Sequence, residues 1–172
     1  MRLETKRLIL RMPQVQDAEE YLKVCNSEFA LRYNAMTVKT LEQVHQQFSG
    51  EDRENTILIE HKQQGKVIGA VFIEEDSLRW GVASKELSYF LAEAYARQGY
   101  MKEALHAVIG YLFRREDIEC VAARAFAPNA ASLALLRSLG FHQDGYIPRC
   151  VKGYQDRIFD DTLHSLFRQE FV

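Results

Sequence analysis

The stretch Leu87 to Leu105, LSYFLAEAYARQGYMKEAL, holds the residue types and spacing best suited to binding chemistry. Strand-like sequence ends, a short polar loop with one glycine follows, and an amphipathic helix begins at about Gly99. Amides in a helix's first turn lack intrahelical acceptors and lie at the positive end of its dipole, so phosphate oxygens bind there with few side chains. Gly99 has no Cβ to block such an approach, and Arg97 and Lys102 flank the turn with positive charge. The loop is not a P-loop, because GxxxxGK followed by Ser or Thr is absent, and GxGxxG is absent too. On this motif alone, a glycine turn before an ordinary helix is the competing reading. The five histidines (His45, His61, His106, His142, His164) and three cysteines (Cys25, Cys120, Cys150) show no HExxH or CxxC spacing. No metal site is expected from them, and the cysteines read as reduced thiols, two or more of them in the core.

The elements that must position this segment come in a mixed order. Residues 3–11 predict a strand ended by Pro13, and residues 15–26 a helix with acids in its first turn. Residues 27–35 predict a second short helix, and residues 40–48 a third with Thr40 as N-cap. From Asn55 the period becomes two: TILIEH, a turn at residues 63–66 and VIGAVFIEE form a hairpin, continued by strands at 78–83 and 86–91. Ala104, Leu105, Val108, Ile109, Leu112 and Phe113 then fall on one helical stripe. A strand at 119–126, a helix from about Ala130 to Leu139 ended by Gly140, and strands at 141–148 and 158–170 close the chain. This order predicts a mixed α/β fold around one sheet and not a regular βαβ protein. Trp80, Phe72, Phe113, Phe126 and Phe141 read as core residues.

Bulk composition narrows the function classes. At 172 residues, with no boundary or repeat in sight, the chain is expected to form one domain over residues 1–172. Lys plus Arg total 22 against 24 for Asp plus Glu, a net charge of -2, which argues against a general nucleic-acid binder. The opening MRLETKRL has no signal-peptide character, and the longest apolar-rich run, Ala104 to Phe113, is too short to span a bilayer. A cytoplasmic protein with no membrane partner is expected.

Residues 128–141, PNAASLALLRSLGF, form the second informative segment, a helix ending in Gly-Phe after a strand. Together with the first segment, it resembles the GNAT superfamily of N-acetyltransferases, and within it the branch that acetylates the N-termini of ribosomal proteins. The likeness spans nearly the whole chain. ETKRLILR is similar to that branch's opening strand, KVIGAVFI to its glycine-bearing middle strand, ELSYFLAEAYARQGYMKEAL to its cofactor strand, loop and helix, and GYQDRIFDDTLHSLFRQEF to its closing strand. Two positions depart from the family loop: Ala96 stands for the usual Gln or Arg, and Met101 for the last small residue. The tyrosine many members use as proton donor falls at Leu136.

The resemblance implies a mixed α+β fold with a central, mostly antiparallel sheet of about six or seven strands, splayed at the cofactor strand and flanked by helices. It implies acetyl transfer from acetyl-coenzyme A to a primary amine, either a protein N-terminus or a small molecule, by direct attack, in a monomer or homodimer. The diphosphate would rest on Arg97, Gln98, Gly99, Tyr100, Met101 and Lys102, and the pantetheine arm would pair with the backbone of Phe90 and Leu91. An amide of that strand would also face the developing oxyanion. Glu86 is the candidate base, Ser132 the candidate donor to the leaving sulfur, and Asn129 a helix cap or a pantetheine contact. Tyr33, Tyr146 and Tyr154 lie in segments that border the acceptor side. A non-catalytic acyl-coenzyme A module of the same fold and an unrelated phosphate-ligand domain are the alternatives.

Overall fold

Runs of alternating or continuous apolar residues (Leu8 and Leu10, Ile57 to Ile59, Val67 to Val71) build a sheet covered on both faces. The computed structural model describes residues 1–115 and 117–172, with Asp52 and Arg115 described by their backbone alone. The chain runs β1 (Arg2–Glu4), β2 (Leu8–Arg11), α1 (Ala18–Cys25), α2 (Glu28–Leu31), α3 (Leu41–Ser49), β3 (Thr56–His61), β4 (Lys66–Glu75), β5 (Ser84–Leu91), α4 (Tyr100–Arg115), β6 (Cys120–Phe126), α5 (Ala130–Ser138), β7 (His142–Lys152) and β8 (Ile158–Phe167). The eight strands form one sheet in the order β1-β2-β3-β4-β5-β6-β8-β7. Every neighbouring pair is antiparallel except β5 with β6.

Eight strands replace the expected six or seven, because residues 3–11 are a hairpin and not one strand: Thr5 turns the chain, its amide donating to the Leu8 carbonyl at 3.0 Å. The strand expected at 78–83 is a loop. Leu78, Trp80 and Val82 mimic strand alternation, but the Asp76 carboxylate accepts the Leu78 amide at 3.0 Å and Gly81 takes φ +76°, which turns the chain out of the sheet. Trp80 consequently lies fully exposed and outside the core. The other elements form as expected, down to the Thr40 cap, whose hydroxyl accepts the Gln43 amide at 3.2 Å.

One face of the sheet packs against α4 and α5, where the stripe of Ala104, Leu105, Val108, Ile109, Leu112 and Phe113 is buried with Leu8, Leu10, Ile57, Leu87 and Val121. The other face packs Leu58, Ala70 and Phe90 against Tyr21, Val44 and Phe48 of α1 and α3. Gly69 permits the close approach of β4 to β5: a Cβ there would lie 2.4 Å from the Phe90 carbonyl oxygen, a backbone atom with little room to yield. No helix among the described residues is long and apolar enough to cross a membrane.

Two perturbations follow. Gly69→Ala is expected to destabilise the fold by about 1–3 kcal/mol through this clash, seen as a lower denaturant midpoint. Arg11 holds Asp17 in a two-pronged ion pair at 2.7 and 2.8 Å and also binds Glu60 at 2.7 Å. Burial alone would raise the Asp17 carboxyl, but Arg11 and the Gln14 amide outweigh it and hold the carboxyl below its usual range. A depressed carboxylate stabilises above its unfolded pKa, about 3.9, and that contribution fades as pH falls through the folded value. Unfolding titrations at pH 6 and pH 3 are expected to show a smaller acid loss in Asp17→Asn than in the unmodified protein.

Candidate active site

The wedge between β5 and β6 is the starting point. Their parallel pairing runs from Ser84 with Cys120 to Leu87 with Ala123 and stops there. Beyond that point β5 stays paired with β4 as far as Leu91, and β6 with β8 as far as Phe126, so the two strands part while each keeps its outer neighbour. Backbone polar groups alternate sides along a strand. The Ala92 amide donates to Ile68 on the β4 side at 2.7 Å, so Phe90 also faces β4, while Tyr89 and Leu91 turn their amides and carbonyls into the wedge. Of the two strand residues expected there, Leu91 opens to the gap and Phe90 does not.

The loop after β5 ends at the first turn of α4. Gly99 takes φ +79°, a conformation open to glycine, and the Glu103 amide makes the helix's first bond, to the Gly99 carbonyl at 3.0 Å. None of the amides from Arg97 to Lys102 makes a hydrogen bond of ordinary geometry to a described residue. Amides without a well-formed partner in the turn and the first helical residues that follow it make an anion cradle. The side chains contribute unevenly. Arg97 and Lys102 are exposed and unpaired among the described residues, whereas the Gln98 amide group folds back on the Ala94 carbonyl at 2.8 Å. Met101, expected among the cofactor contacts, sends its side chain into the core and leaves only its amide outside. Tyr100 packs with His61 and Tyr95, and its hydroxyl lies 3.1 Å from His61 Nε2.

The cradle is anchored from the far edge of the sheet. The Glu103 carboxylate accepts from Thr5 Oγ1 at 2.6 Å, the Arg7 amide at 2.8 Å and Arg7 Nε at 2.6 Å. Burial pushes the Glu103 carboxyl up, but these donors outweigh it and bring it below the ordinary value. Arg7 also bonds the Gln98 carbonyl at 2.9 Å and stacks on Tyr100 at 4.0 Å. The fixed loop, the amides of the cradle and the open wedge fit a ligand with a diphosphate at one end and an extended, amide-bearing arm at the other.

On the opposite face of the sheet lies a cleft of about 1050 Å³ between α3, β4, β5, β6 and β7. Glu86 and Ser88 of β5, Glu74 of β4, and Arg124 and Phe126 of β6 line it. Glu86 sits directly across from Glu74 in the β4–β5 register, and its carboxylate accepts no hydrogen bond from a described residue. Burial raises the Glu86 carboxyl above its usual value; Arg124 opposes this, and Asp76, Glu74 and Asp161 add to it. Arg124 is tied through Nε to the buried Asp161 at 2.7 Å. Ser132 and Asn129 sit instead in the first turn of α5, where Asn129 Oδ1 caps the helix by accepting the Ser132 amide at 3.2 Å. Ser132 Oγ lies 2.7 Å from Tyr89 Oη on the splayed half of β5. Leu136 is buried. Tyr89, Arg124, Glu74, Arg7 and Glu103 had no signal in the sequence, because only the strand register brings them to these positions.

Residues 7–142 match the family model of the acetyltransferase (GNAT) domain. The chain belongs to the GNAT acetyltransferases. As a GNAT acetyltransferase it transfers acetyl groups, with acetyl-coenzyme A as donor. The chain is similar over 99% of its length, at 25% identity, to the uncharacterized N-acetyltransferase p20 of Bacillus licheniformis, covering 98% of that protein. A GNAT-family acetyltransferase from Bacillus anthracis has the same fold, with a TM-score of 0.87, 18% identity, 99% of this chain and 100% of that one covered. So does RimL, a ribosomal-protein alpha-N-acetyltransferase solved with coenzyme A, with a TM-score of 0.82, 19% identity, and 97% and 98% covered.

If Glu103 fixes the GNAT loop, Glu103→Gln is expected to cost roughly 1–2 kcal/mol of stability and to raise the KM for acetyl-coenzyme A several-fold while kcat changes little. Thermal melts and initial rates at varied donor concentration read both effects.

Proposed function

We propose that the chain works as one acetyltransferase domain that acetylates a primary amine, delivered to the cleft as a protein N-terminus or a small molecule. The diphosphate of the donor would rest on the amides of Arg97 to Lys102, with Lys102 and Arg97 adding charge. Its arm would complete the open edge of β5 through Tyr89 and Leu91, in the manner of an added strand. One observation carries this reading: β5–β6 pairing ends one residue after Glu86, so a wedge entered from the cradle side reaches the sheet where the cleft opens on the other face. All of these groups come from one chain, which supports a site complete in a monomer, whether or not two copies pair.

Acetyl-coenzyme A supplies an activated thioester. The chain's own residues then have three tasks. Glu86, whose raised pKa brings it nearer neutrality, takes the proton that the attacking ammonium must lose, directly or through a water. Glu74 opposite it adds negative charge that favours a cationic acceptor. Ser132, at the first turn of α5, donates a hydrogen bond to the departing sulfur, a role the buried Leu136 has no proton to fill.

An acceptor screen of peptides, amino acids, polyamines and aminoglycosides, read by thiol release, tests the function. Glu86→Gln is expected to lower kcat about 100-fold with little change in donor KM, and Ser132→Ala about tenfold. Full activity in both variants overturns the assignment of roles. In the unmodified enzyme kcat is expected to rise with pH along a limb set by Glu86, centred above the ordinary 4.5. The stability sign is opposite to that of Asp17. A carboxyl whose pKa is raised by folding favours the native state only while protonated, and loses that contribution as pH rises through the folded value. Glu86→Gln is therefore expected to melt no lower than the unmodified protein at pH 7.

A further inference from the structure

The hydroxyl of Tyr89 lies within the splayed half of β5 and has a single hydrogen-bond partner among the described residues, Ser132 Oγ at 2.7 Å. Ser132 Oγ likewise has no other partner among them. By geometry either hydroxyl of this part-buried pair can donate, so the direction follows from their acidity. A phenol is a far stronger acid than an aliphatic alcohol, hence the better donor and the poorer acceptor. The reverse arrangement would set the weaker donor against the weaker acceptor. Tyr89 therefore donates to Ser132, and the Ser132 proton is free to point elsewhere.

We propose that Tyr89 is a positioning residue for acetyl transfer: its hydroxyl fixes Ser132 as a donor aimed at the leaving sulfur and strengthens that donation by polarising it. The inference rests on the reading of Ser132 given above. A donor that is itself accepting a hydrogen bond gives a stronger one, an effect on the order of 10–30% per bond in a chain. Burial pushes the Tyr89 hydroxyl up to about 12, so it stays a neutral donor throughout the working pH range. The electron count is simple. The ammonium acceptor first loses one proton to Glu86; the freed lone pair then forms the C–N bond, the C–S bond breaks with its pair going to sulfur, and the second proton leaves the nitrogen to solvent water. The thiolate, with a thiol pKa near 8.5 if it resembles free cysteine, is held by the Ser132 hydrogen bond and takes its proton from water on release. Tyr89 keeps its own proton, because transfer from so weak an acid to that thiolate is uphill.

Tyr89→Phe retains the ring, its packing and its place in β5, and removes only the donor. The expected result is a three- to tenfold loss in kcat with donor KM and melting temperature close to those of the unmodified enzyme. A residue that only supports the wedge would act differently, by raising donor KM or lowering the melting temperature. The decisive comparison is Tyr89→Phe placed in Ser132→Ala, where it is expected to cost nothing further, and in Ser132→Thr, which keeps a hydroxyl and is expected to restore the loss. Unchanged kcat in Tyr89→Phe, or the same loss with and without the Ser132 hydroxyl, overturns the proposal. If Ser132→Ala is fully active while Tyr89→Phe is not, the reading of Ser132 fails, and this proposal falls with it. If Ser132→Ala is impaired and Tyr89→Phe is not, only the role of Tyr89 falls.

Discussion

Two strands in the middle of this sheet stop pairing while both continue. After Leu87 and Ala123, β5 and β6 keep their outer partners and leave the groups between them open. Backbone amides and carbonyls that face no partner are costly in a sheet interior unless water or a ligand satisfies them. The same holds for the amides from Arg97 to Lys102, which have no well-formed hydrogen bond among the described residues. An extended arm with peptide-like groups and a diphosphate at its end satisfies both sets at once. The acetyl donor of the GNAT family has that form, and the unpaired backbone accounts for the cofactor better than any single side chain does.

A wedge of this kind has to be held apart, and the contacts that hold it lie far from one another in sequence. Gly69 lets β4 approach β5 closely enough to keep the splayed half in the sheet. Arg124 is fixed by Asp161 on β8, and Glu103 pins α4 to the turn between β1 and β2. Each tie uses a polar group whose partner is a neighbouring element of the site, so the stability of the fold and the shape of the site depend on the same residues. Glu86 is the exception. It is half-buried, faces Glu74 and has no hydrogen-bond donor among the described residues, with the Arg124 charge only partly offsetting the cost, an arrangement that leaves a carboxylate ready to accept a proton.

Much of this was legible in the sequence where the signal is local. The α4 stripe, Gly99, the Thr40 and Asn129 caps and the Gly140 stop each depend on residues within a few positions, and their spacing states the geometry directly. The loop at 76–83 shows how a local signal misleads, since Leu78, Trp80 and Val82 alternate like a strand while Asp76 and Gly81 bend the chain away. The long-range ties were not legible. Arg124 meets Asp161 across 37 residues, Tyr89 meets Ser132 across 43, and Arg7 meets Glu103 across 96. Those pairings depend on register, and periodicity says nothing about which residue of one strand lies beside which of another.

The amides of the cradle can be observed one by one. Titration of the 15N-labelled protein with coenzyme A, followed by amide NMR, is predicted to move the resonances of Arg97 to Lys102 together with those of Tyr89 and Leu91, and to slow their exchange with solvent. Saturable binding that leaves these amides unmoved, with the shifts gathered elsewhere on the sheet, would contradict the account.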